Sequence, residues 1–87
     1  MMIITRKILA EKIKDYLYHK IDLAELVDWA ENVIMEREFD INDEKILKNI
    51  TALIGVADVR SFGLTLEDCE NFLNQLGYKI EFEVIER

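Results

Sequence analysis

Cys69 and His19 are the sole cysteine and the sole histidine of this 87-residue chain, the residue types from which nucleophiles and metal sites are most often built. A thiol becomes a nucleophile in an exposed, electropositive setting. Cys69 instead stands among Glu67, Asp68 and Glu70 and shares helical spacing with Leu66, Phe72, Leu73 and Leu76, so it reads as a small core hydrophobe with a raised pKa. His19 has neither a second histidine nor a neighbouring thiolate with which to assemble zinc, and as a polar residue at a helix end it suits the helix dipole. Asp40, Asn42 and Glu44 carry the spacing of the first three ligands of a calcium-binding loop. Lys45 then occupies the position that needs glycine, and Thr51 the position of the closing glutamate. Neither a metal nor a cofactor is expected, and helix capping accounts for the same residues. Acid–base catalysis needs two carboxylates held in a cleft with separated pKa values, and no nucleophile here is paired with a base. The chain is not expected to be an enzyme.

The most informative cluster is acidic. At helical spacing Glu25, Asp28, Asn32 and Glu36 fall on one side of a segment, flanked by Trp29 and Met35 and opposite Leu23, Leu26, Val27, Ala30, Val33 and Ile34. An aromatic and a methionine set among carboxylates have the composition of a docking surface for a basic protein, where Trp29 anchors and the charges steer encounter. An ordinary solvated helix face, with Trp29 covering a seam between helices, has the same composition.

Charge is distributed unevenly along the chain. The net charge is −7, yet residues 1–20 sum to +3 while residues 21–44 sum to −8. The acidic middle repels phosphate and anionic lipid and attracts basic surfaces. No apolar run is long enough to cross a bilayer, Met1–Ile4 is too short for a secretory signal, and one cysteine forms no internal disulfide, so a soluble cytoplasmic protein is expected.

The elements that must position these residues are mostly helical. Thr5 caps a first helix over about Arg6 to Tyr18, with Leu9, Ile13, Tyr16 and Leu17 inward. Asp22 and Glu25 form a capping box for a second helix that runs to about Glu38. A polar turn at Asp40–Asp43, with Asn42 or Asp43 as the cap, then leads to a third helix with Ile46, Leu47, Ile50, Leu53 and Ile54 as its apolar set. Gly55 lies near its end, and Ala57–Phe62 adds a further helical turn before Gly63, which supplies a positive φ. Thr65 and Asp68 start a fourth helix, closed by Gly77. After it Tyr78, Ile80, Phe82 and Val84 alternate with Lys79, Glu81 and Glu83, the period of a half-buried strand. The expected fold is mainly α: one domain spanning 1–87, a small four-helix bundle with a C-terminal β-strand. That strand pairs with Met1–Thr5, across a homodimer, or with a partner.

The third and fourth helices joined through Gly63 have the order of a helix-turn-helix. Glu67, Asp68 and Glu70 on the would-be recognition helix oppose a phosphate backbone, so nucleic-acid binding is disfavoured and would fall to the basic first helix.

The stretches Ile21–Phe39 (IDLAELVDWAENVIMEREF) and Gly55–Tyr78 (GVADVRSFGLTLEDCENFLNQLGY) resemble a set of short acidic bacterial proteins with no assigned activity. That resemblance implies a bacterial cytoplasmic origin and transfers no functional residues. In size, acidity and helical content, though not in motif, the chain is similar to immunity proteins and antitoxins, which neutralise basic nuclease toxins. The function expected is a small acidic protein-binding module of that type, with a strand-joined homodimer or assembly subunit as the alternative.

Overall fold

The computed structural model describes residues 3–59 and 63–80. Two strands, four α-helices and a 3₁₀ turn follow in the order β1 (Ile3–Ile4), α1 (Arg6–Leu17), α2 (Leu23–Glu36), β2 (Glu38–Phe39), α3 (Glu44–Gly55), the 3₁₀ turn Ala57–Val59 and α4 (Leu66–Gln75). The helices begin where capping chemistry places them. Thr5 accepts a hydrogen bond from the Ile8 N–H, and complete capping boxes form at Asp22/Glu25 and Thr65/Asp68. Each such cap contributes about 1 kcal/mol. At α3 the side chain of Asp43 makes no cap hydrogen bond; its carboxylate lies 3.3 Å from Arg6 Nε instead.

One core gathers Leu9 and Ile13 of α1, Leu26 and Ala30 of α2, Leu47, Ile50 and Ile54 of α3, and Cys69 and Leu76 from α4 and its cap. Truncating an aliphatic side chain here to alanine costs about 2–5 kcal/mol. Thr51, unremarked by an apolar pattern, is also fully buried and donates its hydroxyl proton to the Leu47 carbonyl at 2.6 Å, so it adds no unsatisfied group. Ile34, Ile46, Leu53 and Leu66, expected inward, remain 40–52% exposed because each lies at the edge of its helix stripe.

Two expectations about extended structure are corrected. The second helix stops at Glu36: the next inward position, four residues after Val33, is the charged Arg37, whose backbone turns extended at φ −117°, ψ 159°. The chain then forms β2, pairing in parallel with β1 in the register Ile3↔Glu38 and Ile4↔Phe39. Ile4 and Phe39 point inward, while Ile3 and Glu38 face solvent. Hence the N-terminal residues have residues 38–39 as their strand neighbour among the described residues. Tyr78 and Ile80 are not in a strand. The Tyr78 N–H donates to the Leu73 carbonyl at 2.8 Å and the Gly77 N–H to Asn74 at 3.1 Å, so Tyr78 belongs to the helix cap. Phe82 and Val84 lie outside the described residues.

Helices α1 and α4 run antiparallel. The Arg6 guanidinium at the start of α1 donates to the Leu76 carbonyl at the end of α4 (3.4 Å), and the Tyr16 hydroxyl donates to the Leu64 carbonyl just before α4 (3.2 Å). Helices α2 and α3 form the most extensive pair.

α1 and α4 end in the same motif with different residues at the left-handed position. Gly77 sits there at φ 94°, and His19 at φ 61°. The His19 N–H donates to Tyr16 and the Lys20 N–H to Asp15, the same pair of bonds that Gly77 and Tyr78 make. A side chain at such a φ costs about 1–2 kcal/mol. Replacing His19 with glycine is therefore expected to raise unfolding stability by about 1 kcal/mol in urea titration. Gly77→Ala is expected to lower it by at least as much, since its Cβ would also lie 3.3 Å from the Arg6 guanidinium.

Candidate functional site

The acidic cluster of α2 forms a surface, with its parts in different roles. Asp28, Asn32 and Glu36 are exposed. Glu25 is exposed but its carboxylate also accepts the Asp22 N–H at 3.3 Å, so it serves the helix cap as well as the acidic face. Trp29 is half-buried against the core, and Lys12 of α1 lies over its ring with Nζ 5.7 Å from the centroid. That places the indole in the seam between α1 and α2, where a cation–π contact and packing hold it. Uncovered apolar surface on this helix instead comes at its C-terminal end, where Met35 is 82% and Ile34 45% exposed. Helix α2 thus presents Met35 beside the carboxylates, with the aromatic withdrawn and Ile34 half-exposed on the opposite side, toward Gly55 of α3.

A second surface joins residues distant in sequence. Between α1, α4 and the segment after Gly77 lies a groove of about 510 Å³. Its apolar part comes from Leu17, Leu66, Leu73 and Ile80, of which Leu73 is buried and Leu66 52% exposed. Tyr18 and Tyr78, both exposed, flank it. Lys7, Lys14 and Lys79 line it against one carboxylate, Glu11. Lys14 lies over the Tyr18 ring, Nζ 5.6 Å from the centroid. Among the described residues the ion pairs are Arg6–Asp43 and Lys48–Glu44, so these three lysines make none there. The period-2 pattern singled out Tyr78 and Ile80 as strand residues; here they form one wall of the groove. Lys79 joins Lys7 and Lys14 only because α4 runs back along α1, a placement no local spacing encodes.

The remaining candidates serve the fold. Asp40 Oδ1 accepts the Asn42 N–H at 3.0 Å and its backbone carbonyl accepts the Asp43 N–H, so these residues shape the turn before α3. Among the described residues no group of three or more histidine, cysteine, aspartate or glutamate side chains is placed to hold a metal ion. His19 is the left-handed residue of the α1 cap. Cys69 is buried, and burial, aided by the charge of Asp68, pushes its thiol up to about 11. Burial, with Cys69 nearby, also raises the Tyr16 hydroxyl above its usual value.

Comparison of the chain with protein-family models, with curated proteins and with solved structures gives no match.

The raised thiol has two measurable consequences. Folded Cys69 is expected to react with an aromatic disulfide reagent at pH 8 about a hundredfold more slowly than the urea-unfolded chain. The unfolded thiol loses its proton near 9.0 and the folded one near 11, so over that interval the unfolded state holds fewer protons. Stability is therefore expected to fall as pH rises from 9 to 11, and Cys69→Ala to flatten that slope in urea titrations.

Proposed function

We propose that this chain is a small acidic protein-binding module, of the antitoxin or immunity type, that docks the exposed face of α2 onto a basic protein such as a nuclease-type toxin. The observation that carries the reading is Met35, 82% exposed at the end of a helix whose exposed positions include Glu25, Asp28 and Glu36. Exposed aliphatic area supplies affinity once it is desolvated, and surrounding carboxylates speed encounter with an oppositely charged surface. Trp29 supports the face from beneath, and Asn32 adds a hydrogen-bonding group. A cytoplasmic setting goes with this reading, since the free thiol needs no oxidising compartment.

The architecture that goes with it is a four-helix bundle. A homodimer joined through Tyr78, Ile80, Phe82 and Val84 is the alternative assembly, and salt separates the two. A steered acidic–basic complex weakens with ionic strength, while an apolar strand-mediated contact does not.

The test is co-expression with the product of an adjacent basic reading frame, followed by affinity measurement. Asp28→Lys, Glu36→Lys and Met35→Ser combined are expected to weaken the complex by at least about a hundredfold while leaving helical circular dichroism intact. Trp29 is left in place because its removal would disturb the α1–α2 seam. Unchanged affinity in the combined variant rules out the α2 face as the docking surface.

A further inference from the structure

We propose that the groove between α1 and α4 binds a single-chain amphiphile with an anionic head, a free long-chain carboxylate, independently of the acidic face of α2. The walls supply one half of the chemistry. Leu17, Leu73 and Ile80 line it with aliphatic side chains, and Leu66, half-exposed at the lip, would lose its water to a bound alkyl chain. Burial of each methylene strengthens such binding about fourfold. The lysines supply the other half. Lys7, Lys14 and Lys79 face one carboxylate, Glu11, giving this groove a local charge of +2 in a chain whose net charge is −7. Lys14 is already held in place over the Tyr18 ring, so its ammonium is positioned before a ligand arrives.

Size and charge together choose the occupant. A volume of about 510 Å³ falls in the range of small-molecule sites, which span roughly 300–1,000 Å³. An acidic protein would bring many negative charges against the carboxylates of this chain, within a screening length of about 8 Å at physiological salt. A lone carboxylate brings a single charge, which the lysines more than match. A cationic or neutral chain of the same length would fill the walls equally and leave the lysines unanswered. The ordinary requirement of such a site, an apolar body with a few polar groups to fix orientation, is met by residues from both helices and from the segment following Gly77.

Dodecanoate, titrated into the full chain below its micelle concentration and followed by calorimetry, is the direct probe. The expected result is one site, with decanoate about fifteenfold weaker for its two missing methylenes. Lys14→Glu with Lys79→Glu, both exposed positions, is expected to weaken dodecanoate by about tenfold or more with no loss of helical signal. Leu66→Glu tests the apolar lip in the same way and shares no atom with the lysine pair. The proposal is overturned if dodecanoate does not bind, if dodecanol binds as tightly, or if the lysine substitutions leave affinity unchanged. It is equally overturned if those substitutions alter the oligomeric state and not the ligand affinity, which would assign the groove to a second copy. Sedimentation with phosphatidylglycerol vesicles without binding of monomeric dodecanoate would assign the lysines to a membrane surface and also overturn it. The α2 variants leave this titration unchanged, so failure here and failure of the docking reading are distinguishable.

Discussion

Ile4 and Phe39 lie side by side in a parallel pair, and from that pairing the directions of the helices follow. Parallel neighbours point the same way, so α1, capped by Thr5 immediately after β1, and α3, reached through the Asp40–Asp43 turn after β2, set out from the same end of the molecule. The chain between the strands must then return to its starting end, which α2 does, and a parallel connection needs a crossover of about a dozen residues or more. Each strand is only two residues long. Such a pair is marginal in isolation, and it persists because its two inward side chains belong to the same core as the helices.

The same end of the molecule collects the elements that close the fold. Arg6 begins α1, where a cation opposes the helix dipole, yet its guanidinium lies beside Asp43 and donates to the Leu76 carbonyl. One side chain thus ties the first helix to the turn before the third and to the end of the fourth. Both Arg6 and Asp43 retain access to water, so the contact contributes little to stability and more to alignment. Gly77 has no side chain to clash with that guanidinium, and this is a second reason for glycine there besides its positive φ. At the opposite end, Tyr16 donating to Leu64 sets the spacing of the same two helices. The groove lies between these fastenings.

Charge separation gives the molecule two unlike faces. α2 carries carboxylates outward, while α1 and residue 79 carry the groove lysines. Lys12 is the exception on α1: it turns toward Trp29 and joins the two helices through a cation–π contact. An acidic face with Met35 uncovered and a basic apolar groove can therefore serve different ligands without competing for the same residues.

Much of the local structure was legible because short-range chemistry decides it. Thr5, Asp22 and Thr65 cap helices through side chains three residues from their partners, Gly63 and Gly77 take positive φ, and the stripes of Leu9/Ile13 and Leu26/Val27/Ala30/Val33 face the core. The burial of Cys69 was equally readable from its helical company. The β2 strand was not, because an acidic segment continuing α2 and a two-residue strand differ by whether Phe39 finds Ile4, a partner 35 residues away. His19 in the left-handed position was hidden for a related reason: its strain is tolerated only because the Tyr16 and Asp15 carbonyls are there to be satisfied. Among the proposed site residues, periodicity placed Asp28, Asn32 and Glu36 on an exposed face but could not tell that Trp29 would be drawn under Lys12 while Met35 stayed bare. Sequence by itself determined where the four helices begin, the caps of three of them and the sign of charge along the chain, since these depend on neighbours within about one turn. Tertiary structure alone decided which apolar residues were left uncovered and that Lys79 would stand with Lys7 and Lys14, because those outcomes depend on helix pairing between residues up to 72 positions apart.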